Sequence, residues 1–189
     1  MNKKRFIIVF IVFVLLVLGW LCFENKVVLK LFHPRFYSEY VQNYSKEFEV
    51  DENLVYSIMK VESKFNKKAV SRRNAKGLMQ ISDITQKWAT DELKLDKVDI
   101  FDPETNIKIG CWYLSKLYKE FKDVNLVIAA YNGGSGNVNK WLSNTEYSHD
   151  GSQLHDIPFN ETKNYLKKVK ENYIIYKSLY REEETNEEN

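Results

Sequence analysis

The residue in this sequence best placed to do chemistry is Glu62. Asp51 has the side chain of a helix N-cap. Leu54, Ile58, Val61 and Phe65 follow at i, i+4, i+7 and i+11, a spacing that predicts a helix with one apolar face. Glu62 comes near the end of that helix, beside Ile58, Val61 and Phe65 and one turn after Met59. A carboxyl at such an edge is partly stripped of water, which raises its pKa and suits it to general acid catalysis. Taken alone, Glu62 reads first as an ordinary solvated helix residue, and no second carboxylate stands close to it in sequence. Other chemistries lack their residues. His33, His149 and His155 are scattered, and Cys22 and Cys111 are far apart with the first inside an apolar run, so neither a metal cluster nor a disulfide is indicated. Cys111, between Gly110 and Trp112 on a helical pattern, reads as a small buried residue.

The elements that would position Glu62 are mostly helical. Phe36, Tyr40 and Tyr44 recur every fourth residue and predict a helix before Asp51. Residues 71–77 are polar and turn-like, and Leu78-Met79-Gln80-Ile81 is a short apolar stretch open to strand or loop. Asp83 and Thr85 suit a new helix start, and Asp102-Pro103 opens another whose core stripe is Ile107, Cys111, Leu114 and Leu117. Residues 126–131 form a short helix closed by Asn132-Gly133-Gly134, a strong breaker that also permits close approach of backbone to a ligand. Val138, Trp141 and Leu142 suggest a further short helix, residues 143–158 a long loop, and residues 161–180 a last helix carrying Tyr165, Val169, Tyr173 and Tyr176. There is no internal repeat and no run of alternating strands.

The chain has 189 residues, enough for one ordinary domain with additions, and its 44% hydrophobic share excludes wholesale disorder. A net charge of +2 gives no reason to expect nucleic acid as a partner. That charge divides into +3 for residues 1–23, −4 for residues 181–189 and +3 for the rest. Residues 6–23 are 18 uncharged residues, which as a helix span about 27 Å, sufficient for a hydrocarbon core. Lys3-Lys4-Arg5 predicts a cytoplasmic N-terminus (residues 1–5) and an extracytoplasmic body, with Trp20 and Phe23 at the interface. A cleaved signal peptide is the rival reading, against which Trp20, Leu21, Cys22 and Phe23 are not the small residues that cleavage requires. Residues 24–35 read as a short stalk that keeps the body near the membrane, residues 36–180 as the body, and residues 181–189 as an acidic, disordered tail.

Four blocks of residues then occur in one order. Glu62-Ser63, Phe65, Ala69, Ser71, Ala75 and Gly77-Leu78-Met79-Gln80-Ile81 come first, followed by Asp102-Pro103, Asn106-Ile107 and Gly110. Next are Ala129-Ala130-Tyr131-Asn132-Gly133-Gly134, Gly136, Val138 and Trp141, and last Ile157-Pro158-Phe159, Glu161-Thr162, Tyr165, Val169 and Asn172-Tyr173. Over roughly residues 44–176 this set resembles the catalytic domain of the soluble lytic transglycosylase family, the family 1 type of peptidoglycan transglycosylases. The resemblance implies a mainly α, lysozyme-like (α+β) fold with a groove for a glycan strand, in one globular domain behind the membrane helix. It implies a lyase that cuts peptidoglycan at the β-1,4 bond between N-acetylmuramic acid and N-acetylglucosamine and leaves 1,6-anhydromuramyl ends. Glu62 matches the single catalytic acid, which would then serve as base on the muramyl 6-hydroxyl. Ser71 matches a serine near the substrate N-acetyl group, and Met79 and Gln80 match the groove wall. Tyr131, Asn132 and Tyr165 match sugar-contacting positions, and Glu161 a carboxylate that supports the site. No cofactor or metal is implied, and the expected partners are glycan strands and the membrane.

One carboxyl suffices for such a reaction when the substrate supplies its own nucleophiles, whereas ordinary glycosidases pair two carboxylates. The sequence departs from the family pattern at Asn74, where Gly is common, at Asp83, where Pro is frequent, and at Gly133, where Ala is common. Asp83 keeps a second reading open, a muramidase-type hydrolase on the same scaffold in which Asp83 enters the groove and positions water. A non-catalytic glycan-binding module is the third reading, and an acid at Glu62 argues against it.

Overall fold

Aspartate and serine side chains start the helices where the sequence predicts breaks. In the computed structural model, which describes residues 3–24 and 26–187, the elements are α1 (Lys3–Glu24), α2 (Val27–Phe32), α3 (Ser38–Phe48), α4 (Glu52–Glu62), α5 (Asp83–Leu93), α6 (Pro103–Phe121), α7 (Val124–Gly133), α8 (Ser135–Leu142) and α9 (Asn160–Glu187). Asp51 accepts from the Asn53 amide at 2.8 Å, Ser82 from Thr85 at 3.1 Å, Asp102 from Thr105 at 2.9 Å and Asp123 from Asn125 at 2.8 Å. Each cap satisfies an amide that the first helical turn leaves unpaired and contributes about 1 kcal/mol. Among the described residues no strand forms. The β component is two isolated bridges, Val70 with Lys76 and Lys76 with Ile81, so residues 78–81 are loop.

The chain divides into two compact units, residues 1–34 with 178–189, and residues 35–177. In the first, α1 exposes the apolar residues from Ile7 to Leu21, and among the described residues it is the one helix long and apolar enough to cross a membrane. Cys22 and Phe23, named in the sequence reading, have side chains outside the described ones. Within the stretch read as a short stalk, the backbone forms α2. Tyr180 donates to the His33 carbonyl at 2.8 Å and Lys26 to the Ser178 carbonyl at 2.9 Å, holding α2 to the last turns of α9. The helix α9 itself continues to Glu187, through most of the segment expected to be disordered, in keeping with the good helix propensity of Arg and Glu.

The second unit is organised around α6. Helices α3, α5 and α7 pack on it, and α8 packs on α7. Its core is Ile107, Ile109, Cys111, Trp112, Leu114 and Leu117 of α6, together with Leu54, Val55, Tyr56, Ile58 and Met59 of α4 and Leu126–Ala130 of α7. Residues 53–59 are buried on every side, so α4 is a central helix and not the one-faced helix its spacing suggests. It stops at Glu62. Lys64 and Phe65 have left-handed backbone (φ 52° and 64°), and Phe65 leaves the helical stripe to pack edge-on against Phe36 at 5.5 Å. Ending a buried helix on a glutamate brings that carboxyl to the edge of the core.

Candidate active site

Glu62 opens onto a cleft of about 660 Å³, lined also by Ser71, Arg72, Arg73, Ala75, Gln80, Ser82, Tyr131, Asn132 and Glu161. A cleft of that size accommodates a sizeable organic ligand. Three pieces of chain form it: the end of α4 with the loop to α5, the last turn of α7, and the start of α9. Burial pushes the Glu62 carboxyl up to about 7; the nearby Tyr165 hydroxyl pulls the other way and the Glu161 charge pushes up with the burial. At neutral pH the group therefore exists as acid and as carboxylate in comparable amounts, the condition for giving a proton and taking one back.

The walls are held by polar contacts that leave particular groups free. Two backbone amides, of Arg73 at 3.3 Å and Ala75 at 3.0 Å, donate to Ser71 Oγ, so this hydroxyl keeps its own proton for an acceptor. The Gln80 amide donates to the carbonyls of Gly77 at 2.9 Å and Ala69 at 3.2 Å, which leaves its oxygen to accept. Asn132 is fixed the other way. The Thr162 hydroxyl donates to its Oδ1 at 2.8 Å, which leaves its NH₂ to donate. Thr162 is buried, and a β-carbon on Gly133 would lie 3.1 Å from its oxygen. The glycine at a position where the family commonly has alanine thus gives Thr162 room.

Tyr131 donates to the Met79 carbonyl at 2.8 Å. Burial, and then the Glu62 charge, keep the Tyr131 and Tyr165 hydroxyls protonated far above neutral pH. Tyr165 is buried, with its hydroxyl turned to the Glu62 carboxyl. Met79 is not a wall residue as expected: its side chain is wholly buried, with its sulfur 2.1 Å from where a β-carbon on Gly110 would stand. Its part in the site is its backbone. Met79 N donates to Asn106 Oδ1 at 2.8 Å, and Asn106 in turn donates to the carbonyls of Lys76 at 3.0 Å and Ile100 at 2.8 Å. A β-carbon at Gly77, where φ is +78°, would strike the Asn106 amide at 2.1 Å, so loop and pin require that glycine.

The structure thus brings Glu62, Ser71, Gln80, Tyr131, Asn132 and Glu161 to one cleft, sets Tyr165 behind Glu62 and removes the Met79 side chain to the core. Sequence reasoning quoted Thr162 and Asn106 as part of the resemblance but gave them no role, which they exert through other residues, and it missed Arg72, Arg73 and Ser82 on the wall. Asp83 does not line the cleft. It accepts from Lys76 Nζ at 2.6 Å and Asn74 Nδ2 at 2.7 Å, and those two donors hold its carboxyl below the usual range.

Residues 39–153 match the transglycosylase SLT domain family. Over 157 residues the chain is 34% identical to the soluble lytic murein transglycosylase of Escherichia coli strain K12, covering 78% of this chain and 23% of that one. It is 38% identical over 119 residues to the membrane-bound lytic murein transglycosylase C of Edwardsiella ictaluri, covering 54% and 32%. The chain therefore spans about a quarter of the length of its soluble relatives. Among solved structures it is similar to the 70-kDa soluble lytic transglycosylase of E. coli, with a TM-score of 0.70 at 30% identity over 79% of this chain and 25% of that one. It is also similar to a Pseudomonas aeruginosa lytic transglycosylase solved as an inactive Glu-to-Gln mutant, with a TM-score of 0.69 at 26% identity over 79% and 25%.

Proposed function

The chain belongs to the transglycosylase SLT family, and from that membership we propose that it is a peptidoglycan lytic transglycosylase in which Glu62 is acid and then base. The single observation that carries the mechanism is a half-buried carboxyl, raised to about 7, facing a cleft with no second core-edge carboxylate among its lining residues.

Protonated Glu62 gives its proton to the glycosidic oxygen between a muramyl C1 and the next sugar's O4. The C1–O4 bond breaks, and the departing N-acetylglucosamine keeps the proton as its free 4-hydroxyl. The positive charge at C1 is shared by the muramyl acetamido oxygen. Glu62, now a carboxylate, takes the 6-hydroxyl proton as O6 bonds to C1, which closes the 1,6-anhydro ring and restores the acid. No water is consumed. The Ser71 hydroxyl and the Asn132 NH₂ donate to sugar and acetamido oxygens, the Gln80 oxygen accepts from an N–H or O–H, and the Tyr131 ring offers a face to a sugar.

The hydrolase reading needs a carboxylate that holds water. Asp83 is engaged by Lys76 and Asn74 away from the cleft lining, which favours the transglycosylase. For location, α1 serves as a single-pass anchor, with Lys3, Lys4 and Arg5 on the cytoplasmic side and the catalytic unit facing the wall. Mass spectrometry of soluble products from purified peptidoglycan tests the activity. Anhydromuramyl products, one water lighter than hydrolytic ones and absent with Glu62→Gln, are the expected result. Reducing ends would refute the mechanism.

A further inference from the structure

We propose that Arg72, with Arg73 beside it, forms a carboxylate-binding subsite on the rim of the Glu62 cleft that reads the acidic substituent carried on O3 of each muramyl residue. This rests on the reading of the cleft as a peptidoglycan site and adds to it which feature of the strand is selected.

The charge around the cleft is lopsided. Between residues 60 and 76 the chain carries Lys60, Lys64, Lys67, Lys68, Arg72, Arg73 and Lys76, against one acid, Glu62 itself. Lys76 is answered by Asp83 at 2.6 Å and Arg73 by Glu161 at 3.2 Å. Arg72 lines the cleft, is exposed, and pairs with no carboxylate among the described residues. A glycan of neutral sugars gives a guanidinium there nothing to pair with. The muramyl lactyl group does, either as a free carboxylate or through the carboxylates of a peptide attached to it.

The loop is built to present this group. Arg72 sits inside a turn closed by the Ser71 amide on the Ala75 carbonyl at 2.9 Å, the Asn74 amide on the Ser71 carbonyl at 3.0 Å, and two amides on Ser71 Oγ. Its backbone is fixed before substrate arrives, so the ordering cost of binding falls on the side chain alone. Guanidinium also matches the planar, bidentate geometry of a carboxylate, which an ammonium does not. Ser71, one residue before, keeps its hydroxyl proton free at the same wall. One turn would thus contact the acetamido side of the muramyl ring and its O3 substituent together.

The test uses the full chain in detergent and three strands of equal length: peptide-bearing, stripped of peptide so that the lactyl carboxylate is free, and stripped with that carboxylate converted to its methyl amide. The measured quantity is the ratio of kcat/KM on a charged strand to kcat/KM on the neutral one. Arg72→Gln is expected to lower that ratio about fivefold, through KM, and Arg72→Lys to lower it by less. A drop confined to the peptide-bearing strand identifies the peptide as the source of the carboxylate, a drop confined to the stripped strand identifies the free lactyl group, and a drop on both shows that Arg72 takes either. An unchanged ratio in Arg72→Gln, with all three strands still cut, overturns the subsite and leaves the transglycosylase intact. If the parent cuts none of the strands, the transglycosylase reading fails. Binding of the same three strands, labelled, to Glu62→Gln and to Glu62→Gln/Arg72→Gln then decides the subsite separately, by the same ratio of affinities.

Discussion

The floor and the rim of the cleft are built on opposite principles. On the floor, Glu62, Asn132, Tyr131 and Tyr165 are half-buried or buried and positioned through side chains such as Thr162 and carbonyls such as that of Met79. On the rim, Arg73 and Glu161 pair across 3.2 Å with side chains 81% and 64% exposed. In the low-dielectric floor a single proton or amide orientation has a large energetic consequence, whereas water screens the rim pair. Under the proposed mechanism, chemistry belongs to the floor and selection of the strand to the rim.

The sharpest way to break that division is to remove one carboxyl from each. Glu62→Gln is expected to lower anhydromuramyl product formation about 10³-fold, the scale of a lost general acid. Glu161→Gln is expected to keep most of the rate. Equal losses in the two variants, measured as kcat/KM on the same strands, would erase the distinction.

The floor also predicts a pH dependence. The Glu62 carboxyl stands at about 7 in the folded chain against 4.5 for an ordinary glutamate. The free enzyme needs it protonated, so kcat/KM should fall about tenfold per pH unit above 7. Stability follows with its own sign. A carboxyl whose folded pKa is raised stabilises most below 4.5, and that contribution is lost as pH rises through 7. Glu62→Gln should match the parent near pH 4 and exceed it by of order 2 kcal/mol above pH 8. Chemical denaturation of both proteins at the two pH values measures the difference, and a difference that does not grow with pH would mean that Glu62 is solvated.

A smaller effect is expected at Thr162. In Thr162→Val the shape persists but the Asn132 oxygen loses its donor, and the amide no longer has a reason to keep NH₂ toward the strand. We expect about a tenfold loss in kcat/KM, the cost of one misassigned buried hydrogen bond, and recovery in Thr162→Ser. A structural role alone would lower stability in both variants and leave the ratio of kcat/KM to folded protein unchanged.

How much of this was legible in the sequence depended on whether a residue acts by its own side chain. Glu62 could be found because Asp51 caps its helix and the apolar residues before it announce a core edge. The helical body could be read from Asp102-Pro103, the Asn132-Gly133-Gly134 break and the four-residue spacings. Met79 was misassigned because it contributes a carbonyl while its side chain fills the space over Gly110, and side-chain type carries no record of that. Thr162 and Asn106 carry no reactive group, and their partners lie 30 and 27 residues away in sequence. The basic stretch from Lys60 to Lys76 was not singled out from the sequence. Only the fold, which sets Arg72 and Arg73 on the wall that Glu62 faces, turns that charge into part of a site.

The finest test of floor against rim lies in the coupling between them. Glu161 is exposed, yet its charge is among the influences that raise the Glu62 pKa, after burial. Glu161→Gln removes that charge and frees Arg73 to turn its own toward the cleft. Both changes favour the ionised form of Glu62, so the alkaline limb of kcat/KM should move to lower pH by a fraction of a unit. Salt should shrink the shift, because the interaction crosses an open cleft. Arg73→Gln leaves Glu161 unanswered and should move the limb the other way. Opposite displacements from the two halves of one ion pair would show that the rim sets the pH at which the floor works. Displacements in the same direction would mean that the pair acts by holding the loop in place, with its charges a minor influence on Glu62.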